Sequence, residues 1–115
     1  AAGAVSGVYS RAGSTQGERL LSGSKTPLPN GLYVAQRPVF TPIIRARTGQ
    51  KSIPLDSSMV PNSSRTALLI HRVIGNGTAG CVGVISAEDQ EMVINFVDNF
   101  YKNNPGGRLT LVVAI

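Results

Sequence analysis

Cys81 and His71 are the residues through which this chain can do covalent chemistry. Each is the only one of its type in the sequence. The thiol stands in Gly75-Asn76-Gly77-Thr78-Ala79-Gly80-Cys81-Val82-Gly83, and the imidazole closes an apolar run ten positions upstream. A free thiol is only a few per cent ionised at neutral pH, and a neighbouring imidazole raises the reactive thiolate fraction. Gly80 lets backbone approach closely, so the N–H groups of Gly80 and Cys81 can point at a developing oxyanion. The small residues Thr78, Ala79 and Gly80 leave room for a substrate beside the sulfur. The same pair has a plainer reading. A free cysteine often packs as a small hydrophobe, and a histidine at a strand end is often a satisfied polar group. One histidine and one cysteine leave two metal ligands to be found among scattered acids, so neither a metal site nor a cofactor is expected.

The chemistry requires elements that bring the two side chains together. Ala67-Leu68-Leu69-Ile70 reads as a buried strand that fixes His71 at its end, and residues 81–85 read as the next strand. If these strands are neighbours, the glycine-rich stretch between them folds back and the two side chains meet. Upstream, residues 19–22 read as a short strand. Thr26-Pro27-Leu28-Pro29-Asn30-Gly31 is a turn, because proline presets φ and Asn-Gly tolerates positive φ. Residues 32–35 read as a strand. Residues 43–47 read as another, returned by Thr48-Gly49-Gln50 into a hairpin partner at 51–55. Residues 56–64 are polar, carry proline and read as a loop. One helix is clear: Ser86 with Asp89 three positions on caps its start. Met92, Val93, Phe96, Val97 and Phe100 then form an apolar stripe that faces a sheet. Asn103-Asn104-Pro105-Gly106-Gly107 stops the helix, and residues 109–115 are apolar enough to read as a central strand. Residues 1–7 read as a linker or an edge strand.

The expected fold is therefore mainly β with one helix, a compact mixed β-sandwich or barrel formed by a single domain over residues 1–115. The 115 residues suit one domain, and 42% of them are apolar, enough for a core. The net charge is +5, but the eleven lysines and arginines are scattered, with no basic run and no interleaved aromatics. This argues against a nucleic-acid partner and for mild attraction to polyanions, among them a bacterial wall. No stretch is long or apolar enough to span a bilayer. The opening Ala1-Ala2-Gly3 lacks methionine and is read as a processed product or as part of a larger parent protein or assembly.

Leu69-Ile70-His71 followed by Gly77-Thr78-Ala79-Gly80-Cys81-Val82 resembles the catalytic signature of the L,D-transpeptidase family. That signature is a histidine after an apolar strand, a glycine-rich loop and a Ser/Thr-x-Gly-Cys nucleophile turn. The block Thr26-Pro27-Leu28-Pro29-Asn30-Gly31-Leu32-Tyr33 is similar to the family's Thr-Pro-x-Gly-Phe/Tyr turn. The resemblance spans nearly the whole chain. It departs where Ala79 replaces the usual histidine before the glycine and where Gly83 stands at the position of a basic residue. The His–Cys interval is also shorter than usual; compact members among secretion-system toxins and in phage-related settings are similar in lacking parts of the longer pattern.

The resemblance implies an L,D-transpeptidase-type fold and a cysteine L,D-transpeptidase or L,D-carboxypeptidase acting on peptidoglycan stem tetrapeptides. Cys81 would be the nucleophile, His71 the base, and the Gly80 and Cys81 N–H groups the oxyanion donors. A backbone carbonyl within residues 72–77 would orient the imidazole. Arg72, Thr78 and Tyr33 would contact substrate, with Arg72 pairing to a stem-peptide carboxylate. Such an enzyme would work in the periplasm or cell wall after export or injection. The alternative is a catalytically inactive wall-binding or structural component of a phage tail or contractile injection machine. In that case the protein resides in the virion or the machine.

Overall fold

In the computed structural model the elements run β1 (Ala4–Val8), α1 (Gln16–Arg19), β2 (Gly31–Ala35), α2 (Pro42–Thr48), β3 (Ile53–Asp56), β4 (Leu68–Arg72), β5 (Gly77–Val84), α3 (Ala87–Asn103) and β6 (Leu109–Val113). The structure describes residues 4–8, 13–20, 26–73, 75 and 77–114. The six strands form one mixed sheet in the order β1-β5-β4-β3-β2-β6. Only β4 and β5 pair in parallel; the other neighbours are antiparallel. The result is a mainly β half-barrel with a few helices. Among the described residues there is one sheet and no second layer of strands, and three helices rather than one.

Two expected strands are helices, and local capping explains both. Residues 19–22 were expected to be extended, but Arg19 ends α1, and residues 21–22 lie outside the described residues. Thr15 accepts from the Glu18 N–H while the Glu18 carboxylate accepts from the Thr15 N–H, a reciprocal capping box that nucleates the turn. Residues 43–47 form α2 instead of a hairpin strand. Pro42 opens the helix, where a missing N–H costs nothing, and Gly49 closes it in the left-handed conformation (φ 69°) with its N–H on the Arg45 carbonyl. Ile44 is buried while Ile43 is exposed, so the pair that suggested a strand straddles a helix face. Without that partner, β3 pairs with β2 and β4.

Strand alternation sends Tyr33, Ala35, Ile53, Leu55, Leu68, Ile70 and Val84 to one face, and all seven are buried in the core. Helix α3 covers that face. Ser86 caps it by accepting from the Asp89 N–H at 3.1 Å, as the sequence predicts. The buried stripe is Gln90, Ile94, Val97 and Tyr101, one step around from the expected one. Val93 and Phe100 pack at its margin, whereas Met92 and Phe96 are exposed. The amide of fully buried Gln90 donates to the Lys51 carbonyl, which ties the helix to the approach to β3. Each buried aliphatic side chain on this stripe contributes roughly 1.5–3 kcal/mol.

Strand β6 is a sheet edge, not a central strand. Leu109, Leu111 and Val113 lean on the core, but Val112 is 65% exposed, so the apolar run is an alternating strand whose outer residues are also apolar. The N-terminal segment forms the opposite edge as β1. Among the described residues no helix is long and apolar enough to cross a membrane.

Candidate active site

The parallel pairing of β4 with β5 sets the geometry. Ile70, His71 and Arg72 stand opposite Val82, Gly83 and Val84. His71 is thus inside β4, and Cys81 lies two positions before its strand partner Gly83. The pairing places the two residues on neighbouring strands, with Cys81 just before Val82, the partner of Ile70. Among the described residues no hydrogen bond joins them.

Cys81 does not sit in regular strand. On the β1 side, Ser6 pairs with Val82 and Val8 with Gly77, so residues 78–81 of β5 face the single residue Gly7. This bulge-like irregularity lifts the Cys81 segment out of the ladder, and neither Gly80 nor Cys81 is a register partner of β1 or β4. Gly7 adopts the left-handed conformation (φ 73°) opposite it. Thr78 clasps the bulge. Its hydroxyl accepts from the Gly7 N–H at 3.0 Å and donates to the Cys81 carbonyl at 2.5 Å. Thr78 is buried, so its hydroxyl shapes the turn and is not free for a substrate, contrary to expectation. Thr78→Val leaves both backbone partners without it and is expected to cost about 1–3 kcal/mol in chemical denaturation.

The imidazole is held by its neighbour's backbone. His71 Nδ1 lies 2.6 Å from the Arg72 carbonyl oxygen, which only accepts, so Nδ1 carries the hydrogen and Nε2 is the basic nitrogen of the neutral ring. His71 is 6% exposed. The orienting carbonyl therefore comes from Arg72, within the segment where the sequence places it. The Arg72 side chain goes elsewhere. Alternation along β4 sends it to the face of Ile70 and Val84, opposite His71, so it does not flank the imidazole as a carboxylate clamp. Tyr33 is also displaced from its expected role. It is fully buried, with its hydroxyl donating to the Pro29 carbonyl at 2.7 Å, and it cannot line a groove. Gly83, at the position of the absent basic residue, is buried opposite His71.

The thiol is half-buried. Burial pushes its pKa up, while an N–H from Leu69 and the charge of Arg65 pull partly the other way. Burial likewise raises the Tyr33 phenol, partly offset by Arg65 and Arg19. Both groups are thus held protonated by the fold. Their contribution to stability is complete below the ordinary thiol value near 8.5 and is lost as pH rises through the raised folded-state values. The urea midpoint is expected to fall above about pH 8.5, and the combined Cys81→Ala and Tyr33→Phe protein should show a flatter alkaline limb.

Sequence reasoning missed two buried arginines beside this site. Arg19 and Arg65 are 5% and 4% exposed. Arg19 gives Nε and Nη2 to the Leu28 carbonyl, and Nη2 also reaches Asn30 Oδ1 at 2.9 Å. Arg65 Nη1 is shared among the carbonyls of Arg19, Thr26 and Pro27 and the Thr26 hydroxyl, at 3.1–3.3 Å. Together they hold the 26–30 turn, whose residues 26–29 are all buried. Nothing local announces this. Arg65 follows Ser63-Ser64 in a polar loop and reads as solvated. No protein-family model, no curated protein and no solved structure matches this chain.

Proposed function

We propose that this chain is a cysteine acyltransferase domain of the L,D-transpeptidase type, acting on peptidoglycan stem tetrapeptides through a thioester on Cys81. The observation that carries this reading is the juxtaposition of the only thiol and the only imidazole on parallel neighbours β4 and β5, with the thiol in a bulge rather than a ladder. The thiol rests protonated, so a base must act as attack begins. His71 Nε2 takes the Sγ proton, and the Sγ–C bond forms at the carbonyl between meso-diaminopimelate and D-alanine. Backbone N–H groups of Gly80 and Cys81, outside the ladder registers, face the oxyanion. The C–N bond breaks, and the imidazolium returns its proton to D-alanine as that amine leaves. An incoming amine then resolves the thioester to a new cross-link, or water resolves it to a tripeptide. Such a domain acts in the periplasm or cell wall after export or injection.

Intact mass spectrometry of the protein mixed with a tetrapeptide muropeptide tests this directly. The expected species is the protein plus the muropeptide minus one D-alanine, mapped to Cys81. Neither adduct nor free D-alanine, with the protein folded, would discard the acyl-transfer reading.

The second reading, a catalytically silent wall-binding or structural part of a phage tail or injection machine, draws on two observations. The thiol takes its N–H from Leu69, and His71 gives its bond to Arg72. Binding of intact peptidoglycan without any adduct would select it.

A further inference from the structure

Strand β6 carries none of the devices that keep a sheet edge from pairing. It runs in regular register with β2 from Leu109 to Val113, and among the described residues no strand pairs with its other side. The segment Leu-Thr-Leu-Val-Val holds no charge, no proline and no bulge. Alternate N–H and C=O groups along it face outward, away from β2. Beside this edge an apolar groove of about 150 Å³ opens between β6 and α3. Val93, Phe96 and Val97 form one wall, and Leu109 and Leu111 the other. Phe96 is 63% exposed, so the helix side of the groove is uncovered as well. The turn that joins α3 to β6 closes one end of the groove, and that end is basic. Lys102 stands in the last turn of α3, and Arg108 directly precedes β6. Arg37 reaches the Pro105 carbonyl of the turn at 3.5 Å, with its guanidinium over the Tyr101 ring. All three cations are exposed. Asp56 is within electrostatic range of Arg108 and offsets only part of this charge.

We propose that β6 and its groove form a docking site for an extended peptide with apolar side chains at alternate positions and a free C-terminal carboxylate. The ladder sets the first requirement. A chain added to β6 bonds through its backbone and sends every second side chain to the groove face. The curl of the half-barrel carries that face towards α3, so these side chains enter between Phe96 and Leu111, where an apolar residue fits. Charge sets the second requirement and the direction. An antiparallel partner, the stronger of the two pairings, reaches the start of β6 with its own C-terminal end. There it meets Arg37, Lys102 and Arg108, and guanidinium forks match carboxylate geometry. A second copy of this chain fits less well. An antiparallel pair of β6 strands centred on Leu111 sets Arg108 opposite Ala114, which brings no negative charge to the basic end. Three strands separate β6 from β5 and Cys81, so the site does not rest on the acyl-transfer reading.

The probe is the fluorescein-labelled hexapeptide Thr-Val-Thr-Val-Thr-Val with a free carboxylate, titrated with the full chain and followed by fluorescence anisotropy. Saturable binding is expected. The C-terminal amide of the same peptide should bind about tenfold more weakly, because a charge-assisted hydrogen bond is lost. The combined Arg37→Gln and Arg108→Gln protein should bind the free acid no better than wild type binds the amide. Phe96→Ala, a change at an exposed side chain, should weaken both peptides about fivefold. Alternate N-methylation of the peptide separates a ladder from simple burial. One set of methyl groups should abolish binding, and the other should leave it within about threefold. The amide NMR shifts of the protein should centre on residues 109–113. Circular dichroism checks each variant, and if the double variant unfolds, the comparison of acid with amide on wild type carries the charge test alone. No saturable binding up to about 1 mM protein overturns the proposal. So do equal binding of acid and amide, indifference to both N-methyl sets, or shifts centred elsewhere. A dimer in light scattering that the peptide does not dissociate also overturns it, because a second copy then holds the edge.

Discussion

Cys81→Ala is expected to release no D-alanine above background from tetrapeptide muropeptides while keeping the wild-type dichroism and urea midpoint. The two halves of that result have separate physical causes. Alanine removes a single sulfur from a half-buried site, a change worth about 1 kcal/mol or less in transfer terms. The Thr78 clasp is made through the Cys81 carbonyl, so it survives the substitution and the bulge keeps its shape. Turnover, by contrast, loses the atom that forms the covalent bond, so a fall of at least about a thousandfold is expected. His71→Ala should fall by about 10²–10⁴, because the proton on a thiol held neutral by burial then has no base to go to. Residues that act as one unit are not additive, so the double variant should be no slower than Cys81→Ala alone. Equal D-alanine release by wild type and Cys81→Ala would remove the sulfur from the mechanism.

What could be read beforehand and what could not divides along physical lines. Strands β2 and β4, the cap of α3 and its stop were legible because each is written in neighbouring residues: an Asn-Gly turn, an unbroken apolar run, Ser86 with Asp89, and Pro105-Gly106-Gly107. Helix α2 was misread because Ile43-Ile44 favours strands, while the decisive residues, Pro42 and Gly49, lie at its ends. Helix α1 carried the same kind of signal in Thr15 and Glu18, too short to give a periodicity. The stripe of α3 was offset because its buried face includes Gln90 and Tyr101, polar residues that the core accommodates by hydrogen bonds to Lys51 and Ala35.

At the site, the pairing of two strand segments was foreseeable from one apolar run on each side of a glycine-rich stretch. The bulge was not, because it depends on Gly7, seventy-one residues from Thr78. Arg65 was invisible for the same reason: its acceptors come from Arg19, Thr26 and Pro27. Arg72 was assigned to substrate because it adjoins His71 and its guanidinium suits a carboxylate, and Tyr33 because of its strand placement. Adjacent strand residues point to opposite faces, so closeness to His71 in sequence is what turns Arg72 away.

Tyr33→Ala is expected to be the most destabilising single change at this end of the molecule, by about 3–5 kcal/mol in urea denaturation. The ring is fully buried in the cluster that includes Leu28, Ile53 and Val60. Truncation leaves a cavity beneath the turn held by Arg19 and Arg65, two charges whose solvation depends on that turn staying closed. A domain of this size has roughly 5–15 kcal/mol in total, so the loss is a large share. Tyr33→Phe separates the ring from its hydroxyl. It keeps the volume and removes only the bond to the Pro29 carbonyl, so about 1–2 kcal/mol is expected. The pair also decides between a packing and a substrate role. Packing predicts lower stability in both variants, graded as above, with KM unchanged in Tyr33→Phe. A substrate contact predicts the reverse, a raised KM in Tyr33→Phe with the urea midpoint unmoved. That second pattern would mean that the 26–33 segment opens during turnover and that the closed turn is only its resting form.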